Sequence, residues 1–263
     1  MLDHALAAAK AAVQQAGEAI LTYYRSQYEV RDKADDHPVT TADVAANRLL
    51  RQALTRAVPQ AAWLSEESAD DPARLHHDWV WIVDPLDGTK EFIQGIDEFV
   101  VTVALVFRHQ PVVAATYNPV RRELFTACRG AGAFCNGTPL RVSTTARLQD
   151  AVVLASRSET RRGEFDRFAG AFTLRPVGSV AYKLALVAQG QGDLTFSLVP
   201  KNEWDICAGT LLVCEAGGRV SDPHGRPLRF NQRTTLRPGI VATNGVLHAE
   251  VLRLLRAHVG AEG

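Results

Sequence analysis

The stretch that decides the fold is Trp81-Ile82-Val83-Asp84-Pro85-Leu86-Asp87-Gly88-Thr89-Lys90-Glu91-Phe92. With Trp79-Val80 it opens on an apolar, β-forming run bounded by charge, which reads as a buried strand. Pro85 biases Asp84 toward an extended backbone at the strand end, and Asp87-Gly88 makes a turn that caps a helix beginning at Thr89. Two carboxylates and the Leu86 carbonyl then crowd one point beside the free N–H groups of a helix start. Hard oxygen donors collect Mg²⁺, and helix amino termini collect phosphate. Taken alone, the same residues also read as a plain helix cap at Asp87 and an exposed strand end at Asp84.

Outward from this stretch, Phe99 to Phe107 and Pro111 to Tyr117 read as strands of an antiparallel hairpin, and Asn136-Gly137 is a further tight turn. Toward the amino terminus, Leu2, Leu6, Ala9, Val13, Ala16, Ile20 and Tyr23 recur at spacings of four and three, one stripe of a long amphipathic helix. Residues 31–38 are charged and read as a loop, followed by a helix from Thr41 that Pro59 stops. Beyond Asp150 strands and helices alternate: strands at 152–154, 173–177, 194–196 and 239–242, and helices near 160–169, 180–189, 204–215 and 247–259. The expected class is α/β in a layered α+β form, with an α+β part over residues 1–148 and an α/β part over 149–263. No Pro/Gly/Ser-rich linker divides the chain, which favours two halves that share an interface.

The 263 residues are 46% hydrophobic and 22% charged, ordinary globular composition that excludes a disordered or fibrous chain. Twenty-nine basic residues balance twenty-nine acidic ones, so no long-range field draws the protein to nucleic acid or a membrane. Cys128, Cys135, Cys207 and Cys214 match neither a redox nor a zinc spacing and read as reduced thiols. Charges interrupt the apolar amino terminus and no apolar run reaches the roughly 20 residues of a membrane span, so a cytoplasmic location is expected. There is no Walker loop and no H-E-x-x-H zinc motif, and the acidic stretch fails the EF-hand pattern at Pro85, Leu86 and Thr89. His76-His77 lies in a charged loop and reads as a solvated face.

Two more acidic segments accompany the central one: Leu64-Ser65-Glu66-Glu67-Ser68 upstream and Asn202-Glu203-Trp204-Asp205-Ile206-Cys207-Ala208-Gly209 downstream. Each alone reads as a loop or a cap. Ala155-Ser156-Arg157-Ser158 follows a strand, and its Arg157, with Lys183 on an apolar helix, offers a guanidinium fork and a point charge for a second phosphate. Arg157 reads equally as a surface arginine.

Together the Glu66-Glu67 pair, D-P-L-D-G-T and W-D-x-x-A-G resemble the inositol monophosphatase-like family of Mg²⁺-dependent, lithium-sensitive phosphatases over nearly the whole chain. The resemblance implies alternating layers of helices and sheets, as in inositol monophosphatases and fructose bisphosphatases. It implies two or three Mg²⁺ ions on Glu66, Asp84, the Leu86 carbonyl, Asp87 and Asp205. Val39-Thr40-Thr41-Ala42-Asp43 matches the family's V-T-x-x-D segment and adds Asp43. Asp43, Thr89 and Glu66 are then the expected catalytic residues, and Gly88, Thr89, Arg157, Ser179, Lys183 and Asp205 the expected substrate contacts.

Within the family, D-P-L-D-G-T-K-E-F and the Gly178-Ser179 to Lys183 segment resemble the 3′(2′),5′-bisphosphate nucleotidases, which hydrolyse adenosine 3′,5′-bisphosphate to AMP. Leu198 stands where inositol monophosphatases carry an acidic residue. Inositol monophosphatase or fructose 1,6-bisphosphatase activity is the alternative within the family, and a non-catalytic Mg²⁺- or nucleotide-binding module the alternative outside it. The implied partner is a small phosphorylated nucleotide, with no nucleic acid and no membrane, acted on by a monomer or homodimer.

Overall fold

Trp81 and Val83 face one side of their strand and Val80 and Ile82 the other, and all four are at most 1% exposed. A strand buried on both faces must be covered twice, and that requirement sets the layering. A computed structural model describes residues 1–26, 29–32 and 38–259. Its first sheet has seven strands in chain order: Ala62–Ser65, Trp79–Asp87, Val100–Phe107, Gln110–Asn118, Glu123–Cys128, Gly132–Cys135 and Thr138–Pro139. The first pair is parallel and the rest antiparallel.

Helices α1 (Leu2–Leu21) and α2 (Thr41–Ala57) cover one face, where Ala9, Val13, Leu50 and Leu54 pack on Trp81, Val83, Val101, Val103 and Leu105. The opposite face carries Val80, Ile82, Val100 and Ala104 and meets two later helices introduced below. Between these layers of sequence lies the short helix α3 (Thr89–Ile93), which leaves the end of the central strand.

The second sheet orders its strands Thr173–Val177, Val152–Ser156, Leu194–Ser197, Ile240–Thr243 and Arg219–Ser221. It is parallel at its first two junctions and antiparallel at the others. Helix α4 (Arg157–Arg161) follows Val152–Ser156. Helices α5 (Val180–Ala188) and α6 (Glu203–Glu215) lie between the two sheets, and their Leu184, Val187, Ile206 and Leu212 join Val100 and Ala104 to Leu154 and Ile240 in one core. Helix α7 (His248–Val259) closes the outer face, with Val251 and Leu255 against Val153, Phe196 and Val241. The layers therefore run helix, sheet, helix, sheet, helix.

Two local expectations differ from what is observed. The helix expected near 160–169 is α4 followed by a 3₁₀ turn at Asp166–Phe168, because Gly163 takes φ +75° and ends the first helix. Within the 31–38 segment read as a loop, Val30–Asp32 and Pro38–Thr40 pair as an antiparallel ribbon, while 33–37 lie outside the described residues. Among the described residues no helix is long and apolar enough to cross a membrane, and Cys128, Cys135, Cys207 and Cys214 are all free thiols.

The second sheet also buries a histidine. His248 is 1% exposed, with Nε2 3.0 Å from Ser221 Oγ and Nδ1 3.1 Å from Thr243 Oγ1. Burial, with Arg219 nearby, pushes its pKa down to about 4. The unfolded chain therefore takes up a proton on this residue at higher pH than the native protein does. Its stabilising contribution is complete above about pH 6.5 and is lost as pH falls through about 4. Relative to a His248→Gln protein, the parent should lose on the order of 3 kcal/mol over that window. Denaturant titrations at pH 7 and pH 4 measure it, and parallel losses in both proteins would refute it.

Candidate active site

Asp84 and Asp87 are three positions apart, an odd spacing that in a regular strand points the two side chains to opposite faces. Asp84 pairs with Thr102 but Asp87 with Val100, so one extra residue is inserted in this strand across Pro85-Leu86. Proline suits the insertion because it has no N–H to give to the ladder. The bulge turns both carboxylates into one cavity while the Leu86 side chain stays in the core under α1 and α2. Leu86 N donates to Asp84 Oδ1 at 2.9 Å and fixes that side chain. Gly88 then turns the chain at φ +100°, and a Cβ there would lie 2.9 Å from Glu98 O, so the turn needs glycine on both counts.

The cavity, about 240 Å³, is walled by Glu66, Asp84, Leu86, Asp87, Gly88, Thr89, Ser179, Lys183 and Asp205 among others. They come from several elements: Asp84, Leu86 and Asp87 from the central strand, Gly88 and Thr89 from the start of α3, Ser179 and Lys183 from α5 and its cap, and Asp205 from α6. Glu66 follows the parallel strand Ala62–Ser65, whose neighbouring loop is pinned by Asn47 of α2 through Glu67 O and Ser68 Oγ. Asp205 occupies the first turn of α6 and accepts a bond from Asn202 N at 3.0 Å. Asp43 holds the matching place in α2, accepting from Thr40 N at 2.7 Å and Thr40 Oγ1 at 2.6 Å. The Thr89 hydroxyl lies 3.1 Å from Leu86 O and 3.3 Å from Asp43 Oδ1, with one proton to give between them. Ser179 caps α5 and donates to Asp87 Oδ2 at 2.5 Å, as does Ala181 N. Thus α2, α3, α5 and α6 all begin around this point and turn their positive dipole ends toward it.

Crowding shows in the acidities. Burial, then the charges of Glu66, Asp87 and Asp205, hold the Asp84 carboxyl well above its ordinary range. Burial, then Asp87 and Glu66, does the same to Asp205. Asp87 is raised by burial against the opposing bonds from Ser179 and Ala181. Asp43 is pushed up to about 6, mainly by burial. Carboxylates forced together in this way are relieved by cations. Among the described residues no three His, Cys, Asp or Glu side chains form a ready coordination cage. Glu66, Asp84, Asp87 and Asp205 nonetheless line the same cavity, and Mg²⁺ keeps several waters and takes few protein ligands. Glu66, Asp84, the Leu86 carbonyl, Asp87 and Asp205 are the groups that would hold it.

Other expected residues are placed differently. Lys183 is 5% exposed and reaches the cavity. Arg157 does not line it: its guanidinium holds Glu98 Oε2, with Nη2 at 2.6 Å and Nε at 3.0 Å. Glu98 and the Lys201–Glu159 pair, 2.7 Å apart, are additions that sequence reading did not single out. Neither had a local signal, since each works through a partner at least 42 positions away. Leu198 packs with Phe165 and Phe196 and is not among the residues that wall this cavity.

The inositol monophosphatase family model matches residues 1–259. The 3′(2′),5′-bisphosphate nucleotidase CysQ of Shigella flexneri is 36% identical over 86% of this chain and 94% of its own length. Inositol monophosphatase 2 of Solanum lycopersicum is 35% identical over 94% of both. Among solved structures, the inositol monophosphatase of Thermotoga maritima superposes with a TM-score of 0.85 at 27% identity over 97% of each chain. The extragenic suppressor protein suhB of Bartonella henselae gives 0.83 at 32% identity, over 94% of this chain and 96% of its own. This chain belongs to the inositol monophosphatase family, whose members are metal-dependent phosphatases of small phosphorylated molecules.

Proposed function

We propose that the protein hydrolyses a nucleotide carrying two phosphates, of the adenosine 3′,5′-bisphosphate class, releasing one phosphate and AMP. Lys183 carries the reading. The residue is only 5% exposed and opens on the cavity, its ammonium makes no direct hydrogen bond or ion pair among the described residues, and burial lowers its pKa to about 8. Glu159, whose charge bears on it, is already taken by Lys201 at 2.7 Å and Ser197 at 2.8 Å. A largely buried cation that makes no direct pair and opens on the cavity of the carboxylates calls for a second anionic group on the ligand.

Bound Mg²⁺ supplies an acidified water and neutralises the phosphate charge. The remaining work falls to the chain. Thr89 and Asp43 orient the attacking water, and Asp43, with its pKa near 6, accepts a proton near neutral pH. The Gly88 and Thr89 amides hold phosphate oxygens where charge develops.

A phosphate-release panel with adenosine 3′,5′-bisphosphate, inositol 1-phosphate and fructose 1,6-bisphosphate tests the assignment. Excess chelator should abolish release and added Mg²⁺ restore it. Lys183→Met should raise KM for the bisphosphate roughly tenfold or more and leave hydrolysis of a small monophosphate nearly unchanged. Equal losses on both substrates would remove the second-phosphate site, and a preference for inositol 1-phosphate in the parent would make this an inositol monophosphatase.

A further inference from the structure

Glu98 stands just before the Val100–Phe107 strand, and its Oε2 accepts three bonds: two from Arg157 and one from Gly178 N at 2.8 Å. The pair is only partly open to solvent, Arg157 at 33% and Glu98 at 13% side-chain exposure. A Cβ on Gly178 would run into the side chain of Glu91. The next residue, Ser179, takes φ 54° and ψ 125°, a conformation a non-glycine residue holds only where its surroundings impose it. In that conformation its hydroxyl donates to Asp87 Oδ2, accepts Tyr182 N at 2.9 Å, and sets Ala181 N on the same Asp87 oxygen. Oδ2 is thereby occupied twice, while Oδ1 makes no hydrogen bond among the described residues.

We propose that the Glu98–Arg157 pair is a positioning device for Asp87. Arg157 fixes the Glu98 carboxylate, Glu98 grips the Gly178 amide, and the turn so held aims Ser179 and Ala181 at Oδ2, leaving Oδ1 for the cation. This assigns Arg157 to the metal centre rather than to the second phosphate. The inference rests on Asp87 being a metal-binding carboxylate and not on which phosphate ester is cleaved.

The test is Mg²⁺ binding to the full-length, substrate-free protein by calorimetry, beside kcat and KM on a bisphosphate and a monophosphate. Arg157→Met keeps the stem at a partly exposed site and removes one positive charge. By field alone that change would strengthen Mg²⁺ binding; loss of positioning should weaken it, by about tenfold, as outer partners of metal ligands do. Activity on both substrates should fall together at low Mg²⁺ and recover at saturating Mg²⁺. In a Ser179→Ala background the same change should have little further effect, since the link to Asp87 is already cut. Tighter or unaltered Mg²⁺ binding in Arg157→Met overturns the proposal, as does a KM increase confined to the bisphosphate. A parent that binds no Mg²⁺ would defeat the metal reading itself and this inference with it.

Discussion

Asp84→Asn should yield a protein that is more stable than the parent without metal and inactive on every phosphate ester. The carboxyl is buried, 1% exposed, and lies among Glu66, Asp87 and Asp205, so its ionised form is costly in the folded state. A carboxyl whose folded pKa is raised destabilises the protein as pH climbs from its unfolded value of 3.8 toward the folded one, and the penalty is greatest above both. Asparagine keeps the size and the oxygen that accepts Leu86 N, and it removes the charge. The metal-free variant should therefore unfold several degrees above the parent at pH 8, with a smaller gain at pH 5. Mg²⁺ should raise the parent's Tm by mass action and leave the variant's almost unmoved. Losing one charged ligand, worth about 4 kcal/mol in the transition state, corresponds to roughly a thousandfold in kcat/KM. Calorimetric scans with and without Mg²⁺, together with phosphate release, decide it; a variant that keeps both its Mg²⁺ shift and its activity would remove Asp84 from the metal centre.

Gly209→Val should be the most damaging single change far from any charge. Gly209 lies on α6 against Leu184 of α5, and a Cβ there would come within 2.5 Å of Leu184 Cβ. The clash is with the root of a side chain, so rotamer change cannot relieve it and the helices must separate. Overpacking of this kind costs about 3 kcal/mol, or about 10 °C in Tm for a chain of this length. Separation also moves Ser179 and Lys183, carried by α5, away from Asp205 on α6. Mg²⁺ affinity should fall along with Tm, whereas a surface substitution on α7 of equal Tm cost should leave it unchanged. A Gly209→Val protein that melts within 2 °C of the parent would show that α5 and α6 do not need this approach.

The residues that do chemistry and those that hold them in place differ in how far they could be read along the chain. Asp84, Asp87 and Gly88 are bound to one another by backbone rules acting over a few positions, so a strand, a turn and a helix start follow from their order. Asp43 and Asp205 carry similar local marks, each in the first turn of a helix and bonded to a backbone amide three residues earlier. Helices α1, α5, α6 and α7 and the central hairpin were legible from apolar period and turn residues for the same reason. The bulge at Pro85-Leu86 was not, since it exists only in the register of Asp84 with Thr102 and of Asp87 with Val100.

Arg157 marks the boundary most plainly. Its charge and its place after a strand are properties of the local sequence, and they are equally compatible with a phosphate contact, a surface residue or an ion pair. Glu98, 59 positions away, decides among these, because the partner of a charged side chain is set by which elements the layers bring together. Lys183 went the other way: an apolar helix already marked it as buried, but only the pairing of Glu159 with Lys201 left its ammonium without a direct partner. What the sequence determined by itself was the set of carboxylates and the short-range geometry that turns each toward solvent or ligand. The tertiary structure alone decided which of them share a cavity and which charges are already spent on one another, because desolvation and pairing depend on distances between segments far apart in the chain.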